Sequence, residues 1–362
     1  MKSTNTSLLP ANAKTAAQVC RVTSGLLEKP VISAERFGKG GNSQVYGLKC
    51  SDSGQYVAKF YFCHESDKRD RLGVEFGSLS FLWENGVRCV PRPVAVSEEE
   101  GCALYEYVEG DKILSDQVTE KDIDYAVTFL TKLSELKSRP GADRLPPASE
   151  ACFSVDDAIT NIEWRLKRLE SPADNHNHLR SFLSDDFKPF WEVLIEWCKE
   201  KSTESAFPLD AELPYEERTL SPSDFGFHNA LKTREGRIIF FDFEYFGWDD
   251  PAKMISDFLL HPAMALSTDL KRRFTSQICC SSAFSGSENL EKRLELLYPL
   301  YGLKWCLIFL NEFIPDDLER RSFAGMPLNH KKEVHQEQLL KAKNMLAFIK
   351  EVYRDFPYSK GE

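Results

Sequence analysis

The sequence predicts an α+β chain in two lobes, a small β-rich N-lobe followed by a larger, mainly helical C-lobe. Three observations predict it. Between Val31 and Val108, runs of β-branched and aromatic residues alternate with turn signals, and a single helical pattern interrupts them. From Thr119 onward apolar residues recur at helical spacing, broken only by short strands around a set of aspartates. The length of 362 residues suits two domains or one bilobed domain. The expected division is an N-terminal extension over residues 1–30, a nucleotide-binding N-lobe over 31–108, and a catalytic and substrate-binding C-lobe over 109–362.

In chain order, Val31–Phe37 and Ser43–Lys49 bracket a glycine turn, and Gln55–Phe62 and Cys102–Val108 are further strands. A helix from about Asp67 to Asn85 carries Leu72, Phe76, Leu79 and Leu82 at helical spacing, and Gly86 stops it. Val90–Val94, with two prolines, reads as an extended connector. Thr119-Glu-Lys-Asp122 is a capping-box-like start, followed by Ile123, Ala126, Val127, Leu130 and Leu133 on one face. Pro140–Pro147 is a loop, and Ser154–Asp157 opens a helix to about Glu170. Asp174–His178 is an exposed turn, and Phe182–Cys198 is an aromatic-rich amphipathic helix. Helices return over Leu294–Phe313 and His335–Tyr353.

Composition excludes several classes. Hydrophobic residues at 42% and charged residues at 28% are ordinary for a globular protein. No apolar run approaches a membrane span, and the polar start Met1–Ser7 lacks the apolar centre of a signal peptide. The ten cysteines show no CxxC pair or metal spacing, so reduced thiols and a cytoplasmic location are expected. A formal charge of −10 argues against nucleic acid as a partner and suits a small neutral or cationic substrate.

The chemistry concentrates in Ser221–Asn229 and Phe240–Pro251. They hold Asp224, Asn229 five residues on, and Asp242 thirteen beyond that. Phosphoryl transfer from a nucleoside triphosphate uses such a set. One carboxylate orients the attacking hydroxyl or accepts its proton, and an amide oxygen and a second carboxylate hold magnesium against the phosphates. Asp224 is the candidate catalytic residue, and Asn229 and Asp242 are the candidate metal ligands, with hard oxygens that suit Mg2+. Each taken singly is a common turn residue. Asp242, however, lies in the otherwise apolar strand Ile238–Phe243, where a carboxylate is costly unless a cation or hydrogen bonds compensate it.

Upstream, the turn Gly38-Lys-Gly-Gly-Asn-Ser43 lets backbone N–H groups approach phosphate oxygens, although such a turn is often only a hairpin. Lys59, after Val57-Ala58, is placed to reach the phosphates, and Glu75 on the following helix is its expected partner, preferred over Glu65 and Glu84. Glu106–Val108, where the strand leaves the N-lobe, is the expected adenine-contacting stretch through its backbone. His228 is read as structural, because Asp224 already fills the carboxylate role. Asp249-Asp250-Pro251 is expected to cap a helix, and Asp257 to brace the catalytic loop. Trp164, Trp191, Trp197, Trp248 and Trp305 are more often core than substrate-stacking residues.

With these residues in this order, the chain resembles the aminoglycoside phosphotransferase and choline kinase group of the protein-kinase-like superfamily. Gly38, Gly40, Gly41, Lys59, Glu75, Asp224, Asn229 and Asp242 carry the resemblance. Phe241-Asp-Phe-Glu-Tyr245 looks like the choline-kinase side, and Gly247–Ala252 is similar to the Gly-Asp-Pro run of many members. The resemblance spans about Ile32 to Asp257. It implies a two-lobed kinase-like fold, ATP and Mg2+, and transfer to a hydroxyl of a small molecule such as a sugar, amino sugar or amino alcohol. Gly38, Gly40, Gly41, Asn42, Ser43, Lys59, Glu75, Glu106 and Val108 are the implied nucleotide contacts. The chain departs from the pattern at Pro222, where a histidine is usual, and at Glu244, where protein kinases have glycine. A protein kinase, a nucleotidyl transferase and an inactive nucleotide-binding pseudokinase are the alternatives.

Overall fold

Strands β1 (Val31–Phe37), β2 (Ser43–Cys50) and β3 (Gln55–Tyr61) form an antiparallel meander in the computed structural model, which describes residues 14–37, 43–62, 69–205, 207–284, 290–315 and 331–359. Strands β4 (Pro93–Ser97) and β5 (Cys102–Glu106) complete an antiparallel sheet ordered β1-β2-β3-β5-β4. The connector expected at Val90–Val94 thus continues into an edge strand. A proline is tolerated there because Pro93 is its first residue.

Successive strand side chains point to opposite faces, and that period places the chemistry. Tyr46, Leu48, Ala58, Phe60 and Leu104 face outward into a small core with Val19 of helix α1 (Ala16–Leu27). Thr15 and Gln18 start α1 with a reciprocal capping box. Lys59, Tyr61 and Tyr105, on the alternate positions, face inward. There Tyr61 and Tyr105 join the main core beside Leu79 and Leu82 of helix α2 (Arg71–Glu84). Asp70 is the N-cap of α2, accepting from the Gly73 N–H, so this helix starts at Arg71; Asp67, its expected start, lies outside the described residues.

The C-lobe opens with the two-residue strand β6 (Asp111–Lys112) and α3 (Glu120–Leu136), whose Thr119–Asp122 capping box forms as expected. Helix α4 (Val155–Arg168) has the same device at Ser154 and Asp157. Two single-turn pieces, α5 (Glu170–Asp174) and α6 (Asn177–Ser181), lead through a π-helical stretch at Phe182–Phe187 into α7 (Lys188–Ser205). The segments carrying Asp224, Asn229 and Asp242 run between the short strands β7 (Thr219–Ser221), β8 (Ala230–Lys232), β9 (Ile238–Phe240) and β10 (Gly247–Asp249). Helices α8 (Pro251–Leu260), α9 (Thr268–Cys280), α10 (Leu290–Phe309) and α11 (Lys331–Val352) follow. Every residue of α8 is buried, and α8 packs on α10. Among the described residues no helix is long and apolar enough to cross a membrane.

Trp191, Trp197 and Trp248 are core residues, whereas Trp164 is 51% exposed with the Arg168 guanidinium 4.8 Å over its ring. The pairing of β7 with β10 sets Ser221 against Gly247 and Thr219 against Asp249. A Cβ on Gly247 would lie 2.2 Å from the Pro146 carbonyl oxygen and 2.5 Å from the Ala148 nitrogen, both backbone atoms that cannot swing aside. Replacing Gly247 with Ala is therefore expected to destabilise the protein by about 1–3 kcal/mol, read as a lower urea midpoint at unchanged slope. A midpoint equal to that of the parent would contradict this packing.

Candidate active site

The inward face of β3 delivers Lys59 to the junction of the lobes, where it is only 7% exposed. Its Nζ lies 2.6 Å from Glu75 Oε2, 2.5 Å from Asp242 Oδ1 and 3.4 Å from Glu244 Oε2. The expected pairing with Glu75 is present, while Glu84 sits exposed at the far end of α2 and Glu65 lies outside the described residues. Glu75 does more than hold the lysine. Its Oε2 also accepts from Tyr61 Oη at 2.7 Å, and its Oε1 accepts the Phe243 N–H at 3.2 Å. Tyr61 spends its hydrogen on Glu75, so Tyr105 Oη donates to Tyr61 Oη across 2.7 Å.

Asp242 departs from its expected setting. Strand β9 ends at Phe240, and Asp242 stands two residues beyond it at φ 70°, with its side chain 36% exposed. The carboxylate is turned out of the apolar strand toward Lys59, which compensates it. Glu244, read only as a departure from the kinase pattern, is buried beside it, 3.6 Å from the equally buried Arg71. The ligand oxygens of Glu75, Asp242 and Glu244 all lie within 4.8 Å of one another. Burial works to lower the Lys59 pKa, but Asp242, Glu75 and Glu244 outweigh it and hold the ammonium well above its ordinary value. Removal from water, with Glu244 and Glu75 adding repulsion against the pull of Lys59, pushes the Asp242 carboxyl up to about 7.

The second cluster surrounds Asp224. Its Oδ1 is 3.2 Å from His228 Nε2 and 3.2 Å from His261 Nε2. The two imidazoles are stacked with centroids 3.9 Å apart and planes 4° from parallel. Burial alone would raise the Asp224 pKa, but the two histidine contacts outweigh it and hold the carboxyl well below the usual range. His228, read from the sequence as structural, thus meets Asp224 directly. Asn229 Nδ2 donates to the Asp224 carbonyl at 3.1 Å, and the Asn229 carbonyl accepts the Phe241 N–H at 3.0 Å. The loop carrying Asp224 is thereby tied to the residue before Asp242.

A buried charge network supports this loop. Asp250 caps α8 as expected, accepting from Ala252 N at 2.7 Å, and pairs with Arg293 of α10. Asp249 pairs with Lys253 at 2.7 Å, and Lys253 also reaches Ser223 Oγ at 3.2 Å. Burial pushes the Asp249 carboxyl up to about 6 despite Lys253. Among the described residues no hydrogen bond joins Asp257 to the loop that carries Asp224. Asp257 accepts from Trp305 Nε1 at 3.1 Å and lies 3.3 Å from Lys253, so the direct brace is Lys253, a residue the sequence reading passed over.

The remaining candidates are less gathered. Gly38, Gly40, Gly41 and Asn42 lie outside the described residues. Ser43 is buried at the start of β2, opposite Tyr61. Glu106 and Val108 line a cavity of about 470 Å³ with Trp83, Arg88 and Ile239, and the Glu106 N–H is already bonded to the Arg92 carbonyl at 2.9 Å.

These pairings have measurable consequences. The Asp242 side-chain carbon signal is expected to titrate near pH 7 in carboxyl NMR and to vanish in Asp242→Asn; a midpoint near the ordinary 3.9 would refute the coupling. Lys253→Met leaves Asp249 and Asp257 without their cation and is expected to cost about 3–5 kcal/mol of stability by denaturant unfolding.

A model of the phosphotransferase enzyme family matches residues 33–261. Among solved structures, spectinomycin phosphotransferase bound to ADP and spectinomycin is similar at TM-score 0.63 and 12% identity, over 94% of this chain and 99% of that one. Choline kinase LicA from Streptococcus pneumoniae gives 0.59 and 16%, over 91% and 98%. Amicoumacin kinase in complex with AMP-PNP and Ca2+ gives 0.54 and 14%, over 92% and 93%. At such identities the likeness is one of fold, and the fold is the two-lobed, kinase-like one. No curated protein matches the sequence. The family match runs from within β1 to His261, the residue just after α8, taking in both charged clusters, and the chain belongs to the phosphotransferase enzyme family.

Proposed function

We propose that this chain transfers the γ-phosphate of ATP to a hydroxyl group of a small molecule. The observation that carries the proposal is the contact of one N-lobe ammonium, Lys59, with Glu75 from α2 and with Asp242 from the C-lobe. Three groups distant in sequence meet where triphosphate and acceptor must meet. The spectinomycin and choline enzymes of similar fold add support for a small acceptor. The segment Phe243–Asp250 adds more. It returns at once into β10 and the cap of α8, leaving no extended loop on which a protein substrate would lie.

In this reading Lys59, held by Glu75, binds the phosphates. Asp224 orients the acceptor hydroxyl. Asn229 and Asp242 would hold magnesium, and the adjacent Glu244 adds a third hard oxygen of the kind that ion prefers. The donor set fits the ion, which when bound would neutralise charge on the phosphates. Glycine-turn backbone from Gly38 to Ser43 would cover the phosphates, and the Glu106–Val108 stretch would lie along the base. Catalysis is then mostly alignment and charge stabilisation within a water-poor cleft. The acceptor class is a sugar, amino sugar or amino alcohol, consistent with a net charge of −10.

The test is an ATP-dependent phosphorylation screen over sugars, amino sugars, aminoglycosides and choline-like alcohols, with mass analysis of the product. Asp224→Asn is expected to lower kcat by about 10²–10⁴-fold with nucleotide affinity little changed. Lys59→Met and Asp242→Asn are expected to abolish the magnesium-dependent thermal stabilisation by ATP. Transfer of a nucleotidyl group, or of nothing to any acceptor, would overturn the proposal.

A further inference from the structure

We propose that His228 and His261 act as a paired donor clamp on Asp224, fixing its Oδ1 and leaving Oδ2 as the oxygen that meets the acceptor hydroxyl. The inference deepens the proposed function and rests on it for the role of Asp224, but its geometric premise stands alone. The hydrogen positions follow from what each ring's other nitrogen touches. His261 Nδ1 accepts the Ala263 N–H at 3.2 Å, so the hydrogen of this ring sits on Nε2. His228 Nδ1 is buried and has no hydrogen-bond partner among the described residues. Around it the space is closed: a Cβ on Gly226 would lie 2.7 Å from this nitrogen and 2.5 Å from Met264 Sδ. A hydrogen on Nδ1 would be a buried donor with no acceptor, so the His228 hydrogen also sits on Nε2. Both Nε2–H groups then donate to the same carboxylate oxygen.

The rest of Asp224 leaves one free oxygen. Its carbonyl is taken by Asn229 Nδ2, its N–H by the Pro222 carbonyl, and Oδ1 by the two histidines. The side chain is still 36% exposed, and among the described residues nothing bonds to Oδ2. Neither ring turns easily. Each is stacked on the other, the Trp305 ring meets His261 edge-on at 4.8 Å, and the His261 backbone N–H is bound to the Asp257 carbonyl. Pro222 has no side-chain donor to brace the loop, and the histidine pair supplies that bracing from the other side. The same three side chains have the composition of a transition-metal site. A metal on both Nε2 atoms would drive the hydrogens to Nδ1, where one finds no acceptor and the other faces an N–H, so the geometry favours the clamp.

Two measurements test it. Long-range 1H–15N spectra of the imidazoles, assigned with His228→Gln and His261→Gln, are expected to show both rings of the wild-type protein in the Nε2–H form; either ring in the Nδ1–H form overturns the clamp. In steady-state kinetics, His261→Phe keeps an aromatic ring but no donor and is expected to lower kcat by about 10–100-fold with KM for ATP unchanged. His261→Gln, whose amide N–H reaches the place of Nε2, is expected to recover most of that loss. Wild-type kcat in His261→Phe overturns the clamp even if the enzyme is an ATP-dependent kinase. A wild type that phosphorylates nothing overturns the proposed function, and the spectra then still decide the hydrogen positions.

Discussion

One carboxylate, Glu75, joins the parts on which the site depends. It binds Lys59 from the sheet, accepts the Tyr61 hydroxyl from the same strand, and receives the Phe243 N–H from the C-lobe. A buried carboxylate is stable only if its lone pairs are filled, and here they are filled from three directions. The position of α2, the strand lysine and the segment after β9 are therefore not independent. The tyrosine pair behind Glu75 extends the same chain of hydrogen bonds into β5, the strand by which the polypeptide leaves the first lobe.

The electrostatics of the two clusters differ in sign logic. Around Lys59, three carboxylates face two cations, Lys59 and Arg71, and removal from water, with repulsion from Glu244 and Glu75 added to it, raises the Asp242 carboxyl. Around Asp224 a single carboxylate is surrounded by donors and stays ionised far into acid. Two aspartates eighteen residues apart in the chain are thus pushed in opposite directions by their surroundings, one toward sharing a proton and one away from it. Beneath both, the ion pairs of Asp249, Asp250, Lys253 and Arg293 join β10, α8 and α10, and through Ser223 they reach the catalytic loop.

Much of this was legible in the sequence. Alternation along β3 puts Lys59 on the opposite face from Ala58 and Phe60, and helical spacing marks Glu75 as the residue one turn into α2. The capping boxes at Thr119 and Ser154 are local and were readable for that reason. His261 was not, because its partner lies in another element and no periodicity connects a helix C-cap to a loop far upstream. Lys253 is one more lysine until α8 proves to be buried on every side. Asp242 was assigned to the strand because its neighbours are apolar; the left-handed backbone that takes it out of the ladder carries no compositional mark in an aspartate.

The direct contact between Lys59 and Asp242 sets a condition on whatever occupies the cleft. An anion alone that drew the lysine away would leave the Asp242 carboxylate without its cation. A cation alone would satisfy the carboxylate and leave the ammonium to Glu75 and Glu244. A guest presenting both polarities side by side replaces each half of the severed pair at once.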